Sequence, residues 1–203
     1  MKMSQFRKNA DGENVAWAIW RRLDTPGHDA ARLVRAGAGY LLAGTAVFLH
    51  AKGPACIGYQ VQVDHEWSTI YGQIEGFVAG ETVRHEIGRD GDGWRLDGSM
   101  MPDVAGLRDL DLGFTPATNL LQLRRAGPQL GRRAELTVAW FDIGETRITA
   151  LPQVYIRRSE TTYEYSAPSV PYEAVLEMAP NGFVQSYPHL WMMEESAAPP
   201  GMA

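Results

Sequence analysis

Asp64, His65 and Glu66 are the three consecutive residues best equipped for acid–base chemistry. On a strand, alternate side chains share a face, so both carboxylates would lie on one side and the imidazole on the other, between Val63 and Trp67. Such a set works as general acid and base only where it faces a cavity. Elsewhere its carboxylates face water and a lone inward histidine is a hydrogen-bonded core group. Other enzyme signatures are missing. Gly98-Ser99-Met100 lacks the flanking glycines of a nucleophile elbow, and Gly37, Gly39 and Gly44 do not keep dinucleotide-fingerprint spacing. The histidines at 28, 50, 65, 85 and 189 form no ligand pair. Cys56 is the single cysteine, which excludes an intrachain disulfide and a cysteine-rich zinc site. Asp90-Gly91-Asp92-Gly93 lacks the twelfth-position glutamate of a calcium loop and reads as a hairpin turn. No metal and no cofactor is expected.

The material for binding is richer. Six tryptophans and eight tyrosines are more than a tight core accommodates readily, because each buried ring must find a partner for its N–H or O–H. Several recur at alternating positions: Tyr59, Trp67 and Tyr71, then Tyr163 and Tyr165, then Tyr187 and Trp191. Lining an interior, these rings would make an amphipathic cavity. Arginines come in pairs at 21–22, 124–125, 132–133 and 157–158. Adjacent strand residues point to opposite faces, so a mid-strand pair would send one guanidinium inward, where it needs an anion from a side chain or a ligand.

The elements that must position these groups are strands. Residues 56–64 place Ile57, Tyr59, Val61 and Val63 against Gln60, Gln62 and Asp64. Residues 134–142 set Leu136, Val138 and Trp140 against Glu135 and Thr137, and residues 172–178 alternate in the same way. Val15, Trp17 and Ile19 alternate with Ala16, Ala18 and Trp20. Turn chemistry at 11–12, 90–93, 126–128 and 180–182 punctuates the runs. The pattern predicts an all-β, mostly antiparallel fold: a large barrel or roll of about a dozen strands. One short helical turn is expected at 115–120, where Thr115 precedes Pro116, with a return to strand over 121–125. Residues 1–193 read as one domain and 194–203 as a loose tail.

A net charge of −5 argues against a nucleic-acid binder that works by neutralising phosphates. The apolar run at 15–20 is too short for a signal peptide or a membrane span, so the expected location is the cytoplasm.

Taken together, Asp64-His65-Glu66-Trp67, Asp90-Gly91-Asp92-Gly93-Trp94, Asp109-Leu110-Asp111-Leu112, Phe114-Thr115-Pro116-Ala117-Thr118-Asn119 and Arg124-Arg125 resemble the "putative glycolipid-binding" family of bacterial proteins. So do Pro152-Gln153-Val154-Tyr155, Tyr163-Glu164-Tyr165, Gly182-Phe183-Val184 and Tyr187-Pro188-His189-Leu190-Trp191. Residues 120–123 and 178–181 depart from the family pattern. The resemblance implies a β-barrel-like fold similar in shape to bacterial lipoprotein carriers, and binding of a glycolipid.

The expectation is a non-catalytic binder of an amphipathic small molecule or glycolipid. Trp67, Tyr71, Tyr163, Tyr165, Tyr187 and Trp191 would hold the tail, and Arg124 or Arg125 with Thr118 and Asn119 the head. Asp109, Asp111, Thr115, Gln153 and Tyr155, from the segments that carry the resemblance, complete the candidate set. Two alternatives stand beside it. One is an enzyme acting on a small hydrophobic substrate through Asp64, His65 or Glu66. The other is a packed protein-interaction module with an apolar outer patch.

Overall fold

The computed structural model describes residues 12–197. Alternation of apolar and polar residues builds a long first meander: β1 (Asn14–Arg22), β2 (Gly27–Ala36), β3 (Gly39–His50), β4 (Gly53–Val63), β5 (Thr69–Val78), β6 (Glu81–Asp90), β7 (Gly93–Leu96) and β8 (Ser99–Met101). A short strand, β9 (Leu110–Leu112), leads into the helix α1 (Asn119–Ala126). The second meander comprises β10 (Arg133–Phe141), β11 (Thr149–Arg157), β12 (Thr162–Ala167), β13 (Tyr172–Met178), β14 (Val184–Tyr187) and β15 (Trp191–Ala197). All fifteen strands form one sheet, in the order β8 to β1, then β15 back to β9. Every pairing is antiparallel except β9 with β10.

Pairing of β1 with β15 joins the two meanders at the middle of the sheet. Glu194–Ala197, expected in a loose tail, therefore continue a ladder that includes Trp17↔Ala197. The edges β8 and β9 do not pair with each other, so the sheet is rolled into a barrel-like form without closing. The seam is bridged by a few bonds. The Thr69 backbone N–H donates to Arg108 O at 2.9 Å, and Leu110 N–H donates to Thr69 Oγ1 at 3.0 Å. Inward positions, among them Trp20, Leu42, Ile57, Ile74, Val138, Tyr155 and Leu176, merge into one apolar core.

The roll has two rims. The upper carries the β1–β2, β10–β11, β12–β13 and β14–β15 turns; the lower carries the β4–β5, β11–β12 and β13–β14 turns. The segment after β9 starts at the upper rim, where Gly113 N–H donates to Phe141 O. From there α1 descends through the interior and ends beside Pro128, whose carbonyl accepts from Arg157 at the lower rim. Residues 121–125, expected to be strand, belong to this helix. The helical turn expected from Thr115 begins later and runs longer, while Thr115 Oγ1 accepts the Ala117 N–H at 3.0 Å and shapes its approach. Residue Gly127, left-handed at φ 49°, ends the helix, its N–H donating to Leu123 O. Ala30 and Leu33 lie in β2.

Candidate functional site

A pocket of about 310 Å³ opens at the upper rim, over the start of α1. Each meander strand of the second half delivers residues to it at its rim end: Trp140 from β10, Leu151 from β11, Tyr165 and Ala167 from β12, Tyr172 from β13, Tyr187 from β14 and Trp191 from β15. Asp111, Thr115 and Asn119 supply polar groups from β9 and the segment entering α1, all three buried. Val170, half exposed, and Leu190 lie at the mouth.

The rings are mutually ordered. Tyr172 and Tyr187 stack with centroids 5.4 Å apart, and Tyr165 stands 5.7 Å from Tyr187 at 61°. Tyr165 also touches Tyr155 beneath, at 4.9 Å. Burial raises the hydroxyl pKa of all of these, that of Tyr172 to about 12, so the wall is uncharged at physiological pH.

Below the rings lies a connected polar network. Asp111 accepts the Thr118 hydroxyl at 2.7 Å and the Gln153 amide at 2.8 Å. Gln153 Oε1 accepts in turn from Gln122 Nε2 (2.9 Å) and from the Tyr155 hydroxyl (3.1 Å). The Tyr155 hydroxyl accepts from Asn119 Nδ2 at 3.0 Å and Gln122 Nε2 at 2.8 Å. Gln122 Oε1 is buried without a hydrogen-bond partner among the described residues. Burial is also the main reason the Asp111 carboxyl titrates above its ordinary value; the bonds from Thr118 and Gln153 pull the other way. Beside this network, Asp29 on β2 accepts the Tyr59 hydroxyl at 2.8 Å and the Thr115 hydroxyl. Burial pushes the Asp29 carboxyl up to about 6.

The candidates fall into three groups. Asp111, Thr115, Asn119, Tyr165, Tyr187 and Trp191 line the pocket, while Thr118, Gln153 and Tyr155 form the layer that fixes its floor. The remaining candidates lie elsewhere. Arg125 donates two bonds to the buried Asp109 and closes the lower end of the interior. Arg124 reaches Asn181 O, also at the lower rim, and Tyr163 lies there beneath the Arg157 guanidinium. Trp67 stacks on Tyr40 with centroids 4.1 Å apart, and Tyr71 lies half-buried on the outer face of β5. Neither arginine of the 124–125 pair reaches the pocket, because the helix carries both to the opposite end. Among the described residues no lysine or arginine lines it.

Asp64, His65 and Glu66 form the β4–β5 turn, not a strand. Asp64 Oδ1 accepts the N–H groups of Glu66 and Ser68, and Glu66 pairs with Arg108 at 2.7 Å. They stand at the lower rim, outside the pocket. Among the described residues no cluster of histidine, cysteine or carboxylate side chains could hold a metal ion, and no helix is long and apolar enough to cross a membrane. Trp140 and Tyr172 are pocket residues the sequence did not single out. Trp140 was visible as the end of the Leu136-Val138-Trp140 face, but its place at the rim depends on where β10 turns.

A model of the family described as "putative glycolipid-binding" matches residues 17–192. The chain belongs to this family. Two solved structures share its fold. One is a DUF1089 family protein from Pseudomonas aeruginosa, 24% identical, with a TM-score of 0.70, covering 81% of this chain and 90% of that one. The other is a beta-barrel-like protein of domain of unknown function DUF1849 from Brucella abortus, 12% identical, with a TM-score of 0.54, covering 92% and 98%. At these identities the likeness extends to the fold alone. No curated protein matches the chain.

Proposed function

We propose that the upper-rim pocket binds an amphipathic ligand by an uncharged, hydroxylated head, the sugar of a glycolipid, held head-inward. The observation that carries this reading is an aromatic wall set over a buried floor of acceptors and donors, with no cation in the lining among the described residues. The apolar faces of a sugar ring suit the Tyr165, Tyr187 and Trp191 rings, and its hydroxyls suit Asp111 Oδ and the Asn119 amide. An anionic head would meet Asp111 with no guanidinium among the described lining residues to offset it, and Arg22, which lies over the Trp191 ring, is paired with Asp24. The volume lies near the lower end of ligand pockets, about 300 Å³. It takes a head and leaves the chain to pass Leu190 and Val170 at the mouth. The family description points the same way.

The test is calorimetric titration with n-octyl β-D-glucoside below its micelle concentration, with octanoate as the anionic control. Binding of the glucoside but not of octanoate is expected, and Tyr187→Ala or Trp191→Ala should weaken it at least tenfold. Octanoate binding as tightly as the glucoside, or glucoside binding unaffected by both variants, would sink the reading.

A further inference from the structure

The outer face of β1–β5 carries a second and larger depression, of about 710 Å³. Two adjacent outward rows define it. One runs Trp17–Arg32–Ala43–Gln60–Gln73, the other Ile19–Ala30–Thr45–Gly58–Glu75, each taking one residue from each of the five strands. At about 4.8 Å between strands, each row spans roughly 19 Å. Ala30, Ala43 and Gly58 make a low floor in the middle, and Trp17, Arg32, Gln60, Gln73 and Glu75 stand around it.

Two observations suggest that this floor is kept open for something. First, Gly58 is not demanded by packing or by backbone shape. A Cβ there would meet nothing closer than Glu75 O at 3.5 Å, and its φ is outside the positive range. A glycine inside a long central strand weakens it, and such glycines mark a bulge, a tight bend or a place where a ligand or another backbone approaches closely. The ladders to β3 and β5 run in unbroken register through Gly58, which excludes the bulge. Second, Gln60 Oε1 is shielded from water yet has no hydrogen-bond partner among the described residues. A buried acceptor left so costs free energy, which a rotation of the Gln60 side chain toward a donating ligand in the cleft would recover.

The chemistry of the surround narrows the ligand. Arg32 and Glu75 contribute one positive and one negative group, so neither an anion nor a cation is favoured overall. Two primary amides and the Thr45 hydroxyl offer both donors and acceptors, and Trp17, over a third exposed at 38%, offers an aromatic face. Hydroxyl groups that both donate and accept, on rings with apolar C–H faces, match this set. A strand-adding peptide does not, because these backbones are already committed to ladders on both sides.

We propose that this outer cleft is a separate binding site for a neutral oligosaccharide. It is independent of the upper-rim pocket, since the two share no residue. The test is an amide-resonance titration of the isotopically labelled full chain with maltotriose, cellotriose and triacetylchitotriose. At least one sugar should give saturable shifts at the Gly58 and Gln60 amides and the Trp17 indole. Gly58→Val, which fills the floor with a strand-favouring side chain, should weaken that binding at least tenfold without lowering the unfolding midpoint. Ala43→Phe should act likewise. No saturable shift on this face with any of the three sugars overturns the proposal, as does binding that survives both variants. Shifts confined to Tyr165 and Tyr187 would belong to the upper-rim pocket and count against the outer cleft. A monomer–dimer equilibrium by sedimentation that Gly58→Val abolishes would make the face a self-contact and overturn it too.

Discussion

Asp29 is the residue whose chemistry is most altered by its surroundings. It is fully buried, and its side-chain partners are the hydroxyls of Tyr59 and Thr115. Tyr59 reaches it because residue 44 is glycine: a Cβ there would stand 2.4 Å from the Tyr59 hydroxyl. With its carboxyl raised from 3.8 to about 6, the folded chain retains a proton that the unfolded chain has already released over that interval. Stability from this group is therefore complete below about pH 4 and is lost as pH rises through about 6. The expected loss is about 2–3 kcal/mol. Urea denaturation at pH 4.5 and 7.5 should show Asp29→Asn losing about 2 kcal/mol less than the parent between those values. Equal losses in the two proteins would show that Asp29 titrates as an ordinary carboxyl. Because Thr115 also lines the upper-rim pocket, the same titration reaches the proposed ligand site through one hydroxyl. None of this was legible from the sequence. Asp29 sits in a run with no acid–base motif, and its partners are 30 and 86 residues away.

At the scale of elements, α1 decides what the interior can hold. Leu120, Leu121 and Leu123 are buried, and so are Asn119 and Gln122. A helix enclosed on most sides has no broad polar stripe, which is why residues 121–125 looked like strand: the 3.6-residue alternation that exposes a surface helix is absent. The β-meander was legible for the opposite reason, since each strand has a wet face and a dry one and writes that contrast at period two. Of the residues lining the upper-rim pocket, Asp111 and Thr115 entered the candidate set through the segments that carry the family resemblance, and Asn119 as a partner of the arginine pair. Arg124 and Arg125 are carried by the helix away from the upper-rim pocket, to the lower rim. There Arg125 and the nearly inaccessible Asp109 form the ion pair that closes the interior. Arg125→Ala would leave a buried carboxylate alone, at a cost of about 3–5 kcal/mol. The Arg125→Ala, Asp109→Ala double-mutant cycle, read by urea unfolding, should show coupling above 1 kcal/mol. Sugar-head binding at the upper rim should stay within twofold in any of these variants that remains folded. A large loss of binding without coupling would return Arg125 to the ligand site.

The whole molecule is one sheet around one apolar core, and hydrogen bonds join its two meanders at a few places. The β1–β15 ladder joins the meanders, the Thr69 bonds to Arg108 and Leu110 bridge the open seam, and Asp29 with Thr115 ties β2 to the segment entering α1. Walls of the upper-rim pocket come almost entirely from the second meander, yet its floor residue Thr115 is bonded to the first. If those ties make the roll a single cooperative unit, a ligand at one hundred times its dissociation constant stabilises every core strand by about 2.7 kcal/mol, not just those it touches. Hydrogen exchange with saturating glucoside should then slow the ladder-bonded amides of β3 and β4 by about as much as those of β12 and β13, close to a hundredfold. Ending the chain at Met193 removes the pairings Trp17↔Ala197, Ala18↔Ser196 and Ile19↔Glu195. In that variant, protection should persist in β12 and β13 and shrink in β3 and β4. Slowing confined to β10–β15 in the intact chain would mean that the two meanders open independently. Occupancy of the rim pocket would then be invisible to the outer cleft on β1–β5.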